Sequence, residues 1–106
     1  MPSWQHITYS DEITPEMFGK EVTVGGWVQD VRNLGGISFL QLRDSRGVIQ
    51  ITTLKKRSME LFDLVASIPR ESVVLVTGEA KQSKEARAGF EVLPSRIDIL
   101  NKAEAP

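Results

Sequence analysis

The chain has 106 residues, a length that suits one globular domain and leaves no room for a second independent core. Hydrophobic residues make up 41% and charged residues 25%, and no stretch approaches the ~20 apolar residues of a membrane span, so we expect a soluble, cytoplasmic protein without a membrane partner. The net charge of −1 argues against a bulk polyanion binder, and the absence of cysteine excludes disulfides and thiolate metal sites.

Residues 1–20 are predicted to form an N-terminal segment with one helical turn. The turn covers 14–19, and Thr14 can cap it. The stretch 21–32 is rich in valine and tryptophan and predicts a long strand. Because glycine inside a strand often marks an irregularity, Gly25-Gly26 predicts a bulge or sharp bend there.

The next two segments predict a β-hairpin. Residues 37–43 and 48–53 flank Asp44-Ser45-Arg46-Gly47, a type I turn sequence. With Arg43 opposite Val48, strand alternation places an apolar set on one face, namely Leu40, Leu42, Ile49 and Ile51. The other face then carries Phe39, Gln41 and Arg43 beside Val48, Gln50 and Thr52. Phe39 is therefore an aromatic residue on the polar side of the hairpin, with Gln50 one diagonal step away.

The second half of the chain predicts a helix and two more strands. Residues 58–68 form an amphipathic helix with Ser58 as its cap. Residues 73–78 are a nearly continuous apolar run, as in a buried strand, and 90–100 predict the last strand. Between these two strands, 80–89 predict a polar, basic loop.

This order of elements predicts the fold class. Three strands, a helix and two further strands suit an all-β protein with one short helix, a five-stranded OB-fold Greek-key barrel over residues 21–100. An SH3-like barrel is the main alternative. The helix between the third and fourth strands favours the OB arrangement.

No motif predicts catalysis. The single histidine, His6, lies in the N-terminal segment, and the glycine pairs lack the spacing of phosphate-binding loops. We therefore expect no catalytic residue, no metal site and no cofactor in this chain.

The polar hairpin face instead favours a function in binding single-stranded nucleic acid. Such binding needs an aromatic ring for stacking, polar groups that read base edges and cations for phosphates. Phe39 and Gln50 supply the first two, and cations stand on or beside the hairpin at Arg32, Arg43, Lys55, Lys56 and Arg57. A generic single-stranded nucleic-acid-binding OB domain fits these features. An assembly domain that uses Phe39 as a protein contact is the other alternative.

Several short motifs also resemble a known family. They are Gly26-Trp27-Val28, Arg32, Leu34-Gly35-Gly36, Phe39, Leu42-Arg43-Asp44, Gly47, Val48-Ile49-Gln50 and Gly89-Phe90-Glu91-Val92-Leu93-Pro94. Together they resemble the N-terminal anticodon-binding domain of class IIb aminoacyl-tRNA synthetases. The likeness is greatest to the archaeal-type aspartyl enzyme, with the asparaginyl enzyme next. Residues 101–106 resemble the start of a hinge to a catalytic domain beyond this sequence.

The resemblance implies roles for individual residues. The aromatic residue at Phe39 is expected to stack on the central anticodon uridine, Gln50 to hydrogen-bond its edge, and Arg32 to contact the anticodon loop. Gln29 stands where strict enzymes tend to have tryptophan and relaxed ones histidine, and Arg87 where strict ones tend to have lysine. Independently of the resemblance, further phosphate contacts are expected from the basic residues Arg43, Lys55, Lys56 and Lys84.

The resemblance also implies the activity of a parent enzyme. This would be an ATP-dependent aspartate–tRNA ligase that uses ATP and Mg²⁺ in its catalytic domain and forms a homodimer through it. The present chain would contribute tRNA anticodon binding and no catalysis. Asparaginyl identity is the alternative.

Overall fold

The computed structural model describes residues 7–103. Its elements are β1 (Glu21–Leu34), β2 (Ile37–Arg43), β3 (Val48–Leu54), α1 (Met59–Ser67), β4 (Val73–Gln82) and β5 (Phe90–Asn101). The strands close into a barrel in the order β1-β2-β3-β5-β4, in which only the β3–β5 contact is parallel. This order, with α1 between β3 and β4, is the predicted OB arrangement rather than the SH3-like alternative. His6 and the predicted hinge residues 104–106 lie outside the described range.

The predicted hairpin register is confirmed. Arg43 is opposite Val48, and the apolar faces of β2 and β3 point into the barrel. The four side chains predicted to be inside are fully buried, namely Leu40, Leu42, Ile49 and Ile51. Because strand side chains alternate, a slip of one residue would have put Phe39 into the core.

Helix α1 covers one end of the core. Ser58 caps it as predicted, because its side-chain oxygen accepts a hydrogen bond from the backbone N–H of Leu61 at 3.2 Å. Val65 and Ile68 belong to the buried core cluster, and Leu64 packs against it. No helix between residues 7 and 103 has the length and hydropathy to cross a membrane.

Strand β1 differs from the prediction in the place of its bulge. Gly25 and Gly26 are in regular register with β4, so the predicted bulge there is wrong. The register shift against β2 falls at Gln29, and Trp27 is the residue at which β1 passes from β4 to β2. A Cβ atom on Gly26 would lie 2.1 Å from the carbonyl oxygen of Arg43, so glycine is required by close backbone approach.

The N-terminal segment also departs from its prediction. The expected turn at 14–19 is a 3₁₀ turn, Pro15–Met17, and a second one precedes it at Ser10–Glu12. Thr14 makes no side-chain cap hydrogen bond, so that part of the prediction is wrong. The backbone closes the turn instead, because the N–H of Met17 donates to the carbonyl of Thr14 at 2.9 Å.

The last two strands are longer than predicted. Because β4 continues to Gln82, the predicted loop 80–89 is reduced to 83–89. Beyond β5, the backbone N–H of Ala103 donates to the buried side-chain oxygen of Ser72 at 3.0 Å. The first residues of the predicted hinge are therefore attached to the barrel.

The carboxylate of Asp44 joins the N-terminal segment to the β2–β3 turn. Its Oδ1 atom accepts from the N–H of Arg46 at 2.8 Å, the N–H of Gly47 at 2.9 Å and the hydroxyl of Ser10 at 2.8 Å. Its Oδ2 atom accepts from the N–H of Ser10 at 2.7 Å. Burial raises the pKa of Asp44, but the hydrogen bonds from Arg46, Ser10 and Gly47 together outweigh burial and hold that pKa below its usual value.

Candidate nucleic-acid interface

An open groove of about 780 Å³ runs over the outer face of β1, β2 and β3. Loop 83–89 forms its far side. All five residues predicted for anticodon binding line it, namely Gln29, Arg32, Phe39, Gln50 and Arg87. Four come from the strand face, and Arg87 comes from the loop. The fold therefore brings together residues that span 59 positions of the sequence, counted from 29 to 87.

The bulge in β1 determines what the groove contains. Val28 is fully buried and Val31 packs against the core, whereas Gln29 and Asp30 between them both line the groove. In a regular strand one of two consecutive residues would face the core, but a bulge lets both face outward. The guanidinium of Arg43 then donates to the side-chain oxygen of Gln29 at 3.0 Å.

Phe39 and Arg32 stand side by side on the floor of the groove. They are directly opposite each other in the β1–β2 ladder, and Phe39 is half-buried. Within residues 7–103, Arg32 takes part in none of the three ion pairs. The groove thus offers an aromatic face next to a cation, which suits a base and its phosphate.

Gln50 is held within a line of hydrogen bonds. Its Oε1 atom accepts from Nε2 of Gln41 at 3.4 Å, and its own Nε2 donates to the hydroxyl of Thr52 at 3.4 Å. That hydroxyl donates to Oε1 of Glu91 at 2.6 Å. Glu91 lies on β5, directly beside Gln50 in the parallel β3–β5 pairing. The Gln50 amide therefore has a defined orientation in the groove.

Loop 83–89 has internal hydrogen bonds that fix its shape. The backbone N–H of Ala86 donates to the side-chain oxygen of Ser83 at 3.2 Å, and the N–H of Gly89 donates to the carbonyl of Ala86 at 2.9 Å. Gly89 has φ 87°, in the left-handed region that glycine adopts readily. Ala86 is buried, so its two neighbours, Glu85 and Arg87, are held at the groove.

The groove lining itself has balanced charge. Asp30 and Glu85 offset Arg32 and Arg87, and Asp30 also forms an ion pair with Arg70 at 2.7 Å. The predicted phosphate contacts, Arg43, Lys55, Lys56 and Lys84, are not part of the lining. Arg43 hydrogen-bonds to Gln29 of the lining, and Lys84 precedes Glu85 in the loop. The backbone N–H of Lys55 donates to the carbonyl of Gly36, two residues from Leu34 of the lining, and Lys56 follows Lys55 in the chain. This arrangement suits base edges inside the groove and phosphates along its rim.

Some groove residues were not singled out from the sequence. Leu34 is 61% exposed and lines the groove beside Phe39, as do Asp30 and Glu85. Strand alternation had placed Gln41 and Thr52 on this face without a role. Glu91 had no local signal, because it reaches Gln50 only through a parallel pairing with a distant strand.

An aromatic face, an oriented amide and guanidinium groups in one open groove are what single-stranded nucleic-acid binding needs. Comparison with known families agrees with this geometry. Residues 22–100 match the tRNA anticodon family, which is described as an OB-fold nucleic acid binding domain. The chain belongs to this family.

The relatives with similar sequences include aminoacyl-tRNA ligases. The chain is 46% identical over 99 residues to "Aspartate--tRNA(Asp/Asn) ligase" of Archaeoglobus fulgidus and 48% identical over 99 residues to "Aspartate--tRNA(Asp) ligase" of Thermococcus kodakarensis. Each match covers 92% of this chain and 23% of the relative, so the chain spans about a quarter of their length. Among solved structures, asparaginyl-tRNA synthetase of Pyrococcus horikoshii has 33% identity and a TM-score of 0.83, over 92% of this chain and 23% of that one.

Proposed function

We propose that this chain binds the anticodon loop of a tRNA as the recognition domain of an aspartate–tRNA ligase. The observation that carries the proposal is the groove, which gathers Phe39, Gln50, Arg32, Gln29 and Arg87 in one place. The aspartate–tRNA ligases among the relatives support the choice of amino acid.

Each groove residue has a role in this proposal. Phe39 stacks on the central uridine, and Gln50 hydrogen-bonds that base's edge. Arg32 and Arg87 contact the loop from opposite sides of the groove. The phosphates follow the rim, where they meet Arg43, Lys55, Lys56 and Lys84.

The parent enzyme would supply the chemistry. In the proposal it consumes ATP with Mg²⁺ in a separate catalytic domain, forms a homodimer through that domain and acts in the cytoplasm. Relatives named for tRNA(Asp) alone and for tRNA(Asp/Asn) have comparable identity, 48% and 46%. Arg87, at a position where strict enzymes tend to have lysine, favours strict selectivity, whereas Gln29 matches neither type.

Titration of RNA stem-loops against the 106-residue chain tests the proposal. We expect binding to a loop with the aspartate anticodon, weaker binding when its central uridine is replaced by cytidine, and little binding to the DNA counterpart. Equal affinity for RNA and DNA would instead indicate a generic single-strand binder. Absence of any RNA binding would leave the assembly-domain alternative.

The same titrations with Gln50→Ala test the reader of the central base. Because the amide of Gln50 offers both a donor and an acceptor, its loss should shrink the difference between uridine and cytidine more than it weakens binding overall. The free-energy difference between the two loops should fall by ~1–2 kcal/mol, the lower part of the range for a bidentate base contact in duplex DNA. If both proteins discriminate equally, the base is read elsewhere in the groove. A loop with the asparagine anticodon, which also has a central uridine, measures selectivity at the third base.

A further inference from the structure

We infer that Thr52 and Glu91 are positioning residues that orient the Gln50 amide and thereby make the groove select uridine over cytidine. The inference rests on the proposed function, in which Gln50 reads the central base. It assigns roles to two residues that need not touch the RNA. The observations that carry it are the hydrogen bonds from Gln41 through Gln50 and Thr52 to Glu91.

The direction of donation along this line of hydrogen bonds is set by Glu91. A carboxylate only accepts hydrogen bonds, so the hydroxyl of Thr52, 2.6 Å from Glu91 Oε1, must be the donor between them. The hydroxyl's single proton is then used, and towards Gln50 it presents only lone pairs. The Gln50 group that meets it, at 3.4 Å, must therefore be the NH₂ end. This leaves Oε1 of Gln50 beside the NH₂ of Gln41.

The fixed amide matches one pyrimidine and not the other. An amide oxygen and an amide N–H side by side can accept from N3–H of uridine and donate to its neighbouring carbonyl. Cytidine presents the reverse pair, an acceptor at N3 and a donor at N4. An amide rotated by half a turn would fit cytidine equally well, so Gln50 discriminates only while its orientation is held.

The hydroxyl of Thr52 is not needed to build the barrel. Thr52 is 5% exposed although its strand position faces the groove, and a valine side chain has the same shape. Its backbone pairs with Phe39 on β2, which a change of side chain leaves in place. The carboxylate of Glu91 arrives through the parallel β3–β5 contact, which consists of two residue pairs, Gln50–Glu91 and Ile51–Val92. One of these two pairs therefore brings the carboxylate that accepts from the Thr52 hydroxyl, and that hydroxyl in turn accepts from the Gln50 amide.

The structure also limits how strongly the held amide can favour the uridine loop over the cytidine loop. Rotating the Gln50 amide sets its oxygen against the lone pairs of the Thr52 hydroxyl and costs the hydrogen bond between them. It also costs the bond from Gln41 as long as the Gln41 amide keeps its orientation. Both bonds are long, so each contributes in the lower part of the range for neutral bonds. We expect the wild-type chain to prefer the uridine loop over the cytidine loop by about 5- to 30-fold.

Thr52→Val is the central variant. It should reduce the uridine preference to about 3-fold or less, mostly through tighter binding of the cytidine loop, because the amide is then free to rotate. Thr52→Ser restores the hydroxyl and should return the preference to the wild-type value. Thr23→Val is the matched control, because Thr23 contacts Thr77 at 3.1 Å outside the groove lining, and it should leave the preference unchanged.

Dissociation constants of each variant for both loops, measured at one salt concentration, test the positioning role of Thr52. A wild-type preference that survives in Thr52→Val would overturn the inference alone, and so would an equal loss of affinity for both loops, which indicates a structural or contact role. A wild-type chain that binds neither loop would instead refute the proposed function. Glu91→Gln is an independent variant, in which the amide can either accept from Thr52 or donate to it, so that the direction of the hydrogen bonds is no longer fixed. It too should lower the uridine preference, and an unchanged preference there would contradict the role of Glu91.

Discussion

Replacing Asp44 should destabilise the protein at a point distant from its core. The Asp44 carboxylate accepts four hydrogen bonds, three of them from the backbone N–H groups of Ser10, Arg46 and Gly47. In Asp44→Ala these donors are left without their acceptor. The β2–β3 turn loses two hydrogen bonds to the carboxylate, and the N-terminal segment loses the two that Ser10 donates to it. Because one change removes all of these interactions, the effect should exceed that of an ordinary surface substitution.

The magnitude of the destabilisation follows from the backbone donors that Asp44→Ala leaves without an acceptor. A hydrogen bond to a charged group contributes about 1.5–3 kcal/mol, but water can reach part of this turn and replace some of each bond. About 1 kcal/mol for each of three backbone donors gives a destabilisation of about 2–4 kcal/mol, or a fall in Tm of roughly 10–20 °C for a domain of this size. Asp44→Asn keeps one acceptor oxygen and should cost less.

The pH dependence has a definite sign. The pKa of Asp44 lies below its usual value in the folded protein, so its stabilisation is fully present above the unfolded-state pKa of about 3.9. That stabilisation is lost as the pH falls through the lower, folded-state pKa. Wild type and Asp44→Asn should therefore differ by a constant amount near neutral pH and converge in acid.

Thermal and urea unfolding between pH 7 and pH 2 measure both effects. Asp63→Ala is the control, because Asp63 is exposed on α1 and its replacement should change stability by less than about 0.5 kcal/mol. If Asp44→Ala melts within a degree or two of wild type, the carboxylate does not hold this turn. If the difference between wild type and Asp44→Asn persists at pH 2, it does not arise from the charge.

Three further outcomes are expected. Phe39→Ala should weaken binding of the aspartate anticodon stem-loop by ~1–3 kcal/mol, and an unchanged dissociation constant in a folded variant would remove Phe39 from the site. Lys55→Ala or Lys56→Ala should weaken the uridine and cytidine loops equally and lower the slope of log K against log salt by about 0.7 for each phosphate that is no longer neutralised, whereas an unchanged slope would place that lysine away from the RNA backbone. The chain alone should show no ATP–pyrophosphate exchange with any amino acid, and exchange above background in a clean preparation would contradict a purely recognising role.

Local pattern was enough to predict the hairpin and the part of the groove that its outward face forms. The turn sequence after Arg43 sets the β2–β3 register, and the register decides that Leu40 and Leu42 are buried while Phe39 faces outward. Gln50 follows from the same alternation, because it lies on the outward face of β3. These features depend on residues within a few positions of one another.

The site roles assigned to Gln29 and Arg87 came from the resemblance alone, whereas Arg32 was also among the cations that the hairpin pattern offered for phosphates. Their shared location in the groove agrees with the resemblance. The sequence had no comparable signal for Glu85, which lines the groove on the same loop as Arg87.

What the sequence by itself determined is therefore the local part of this protein. This part comprises the succession of strands and helix along the chain, the capped helix, the hairpin register and the placement of Phe39 and Gln50. Only the tertiary structure decided where β1 bulges, because a bulge is defined by the alignment of one strand against its neighbour. Gly25 and Gly26 align regularly with β4, and the shift against β2 falls at Gln29. The tertiary structure also decided that Glu91 lies beside Gln50, since that strand pairing joins residues 41 positions apart, counted from 50 to 91. Alternation within a strand is set by backbone geometry and can be read locally, whereas pairings between strands distant in sequence exist only after the barrel has closed.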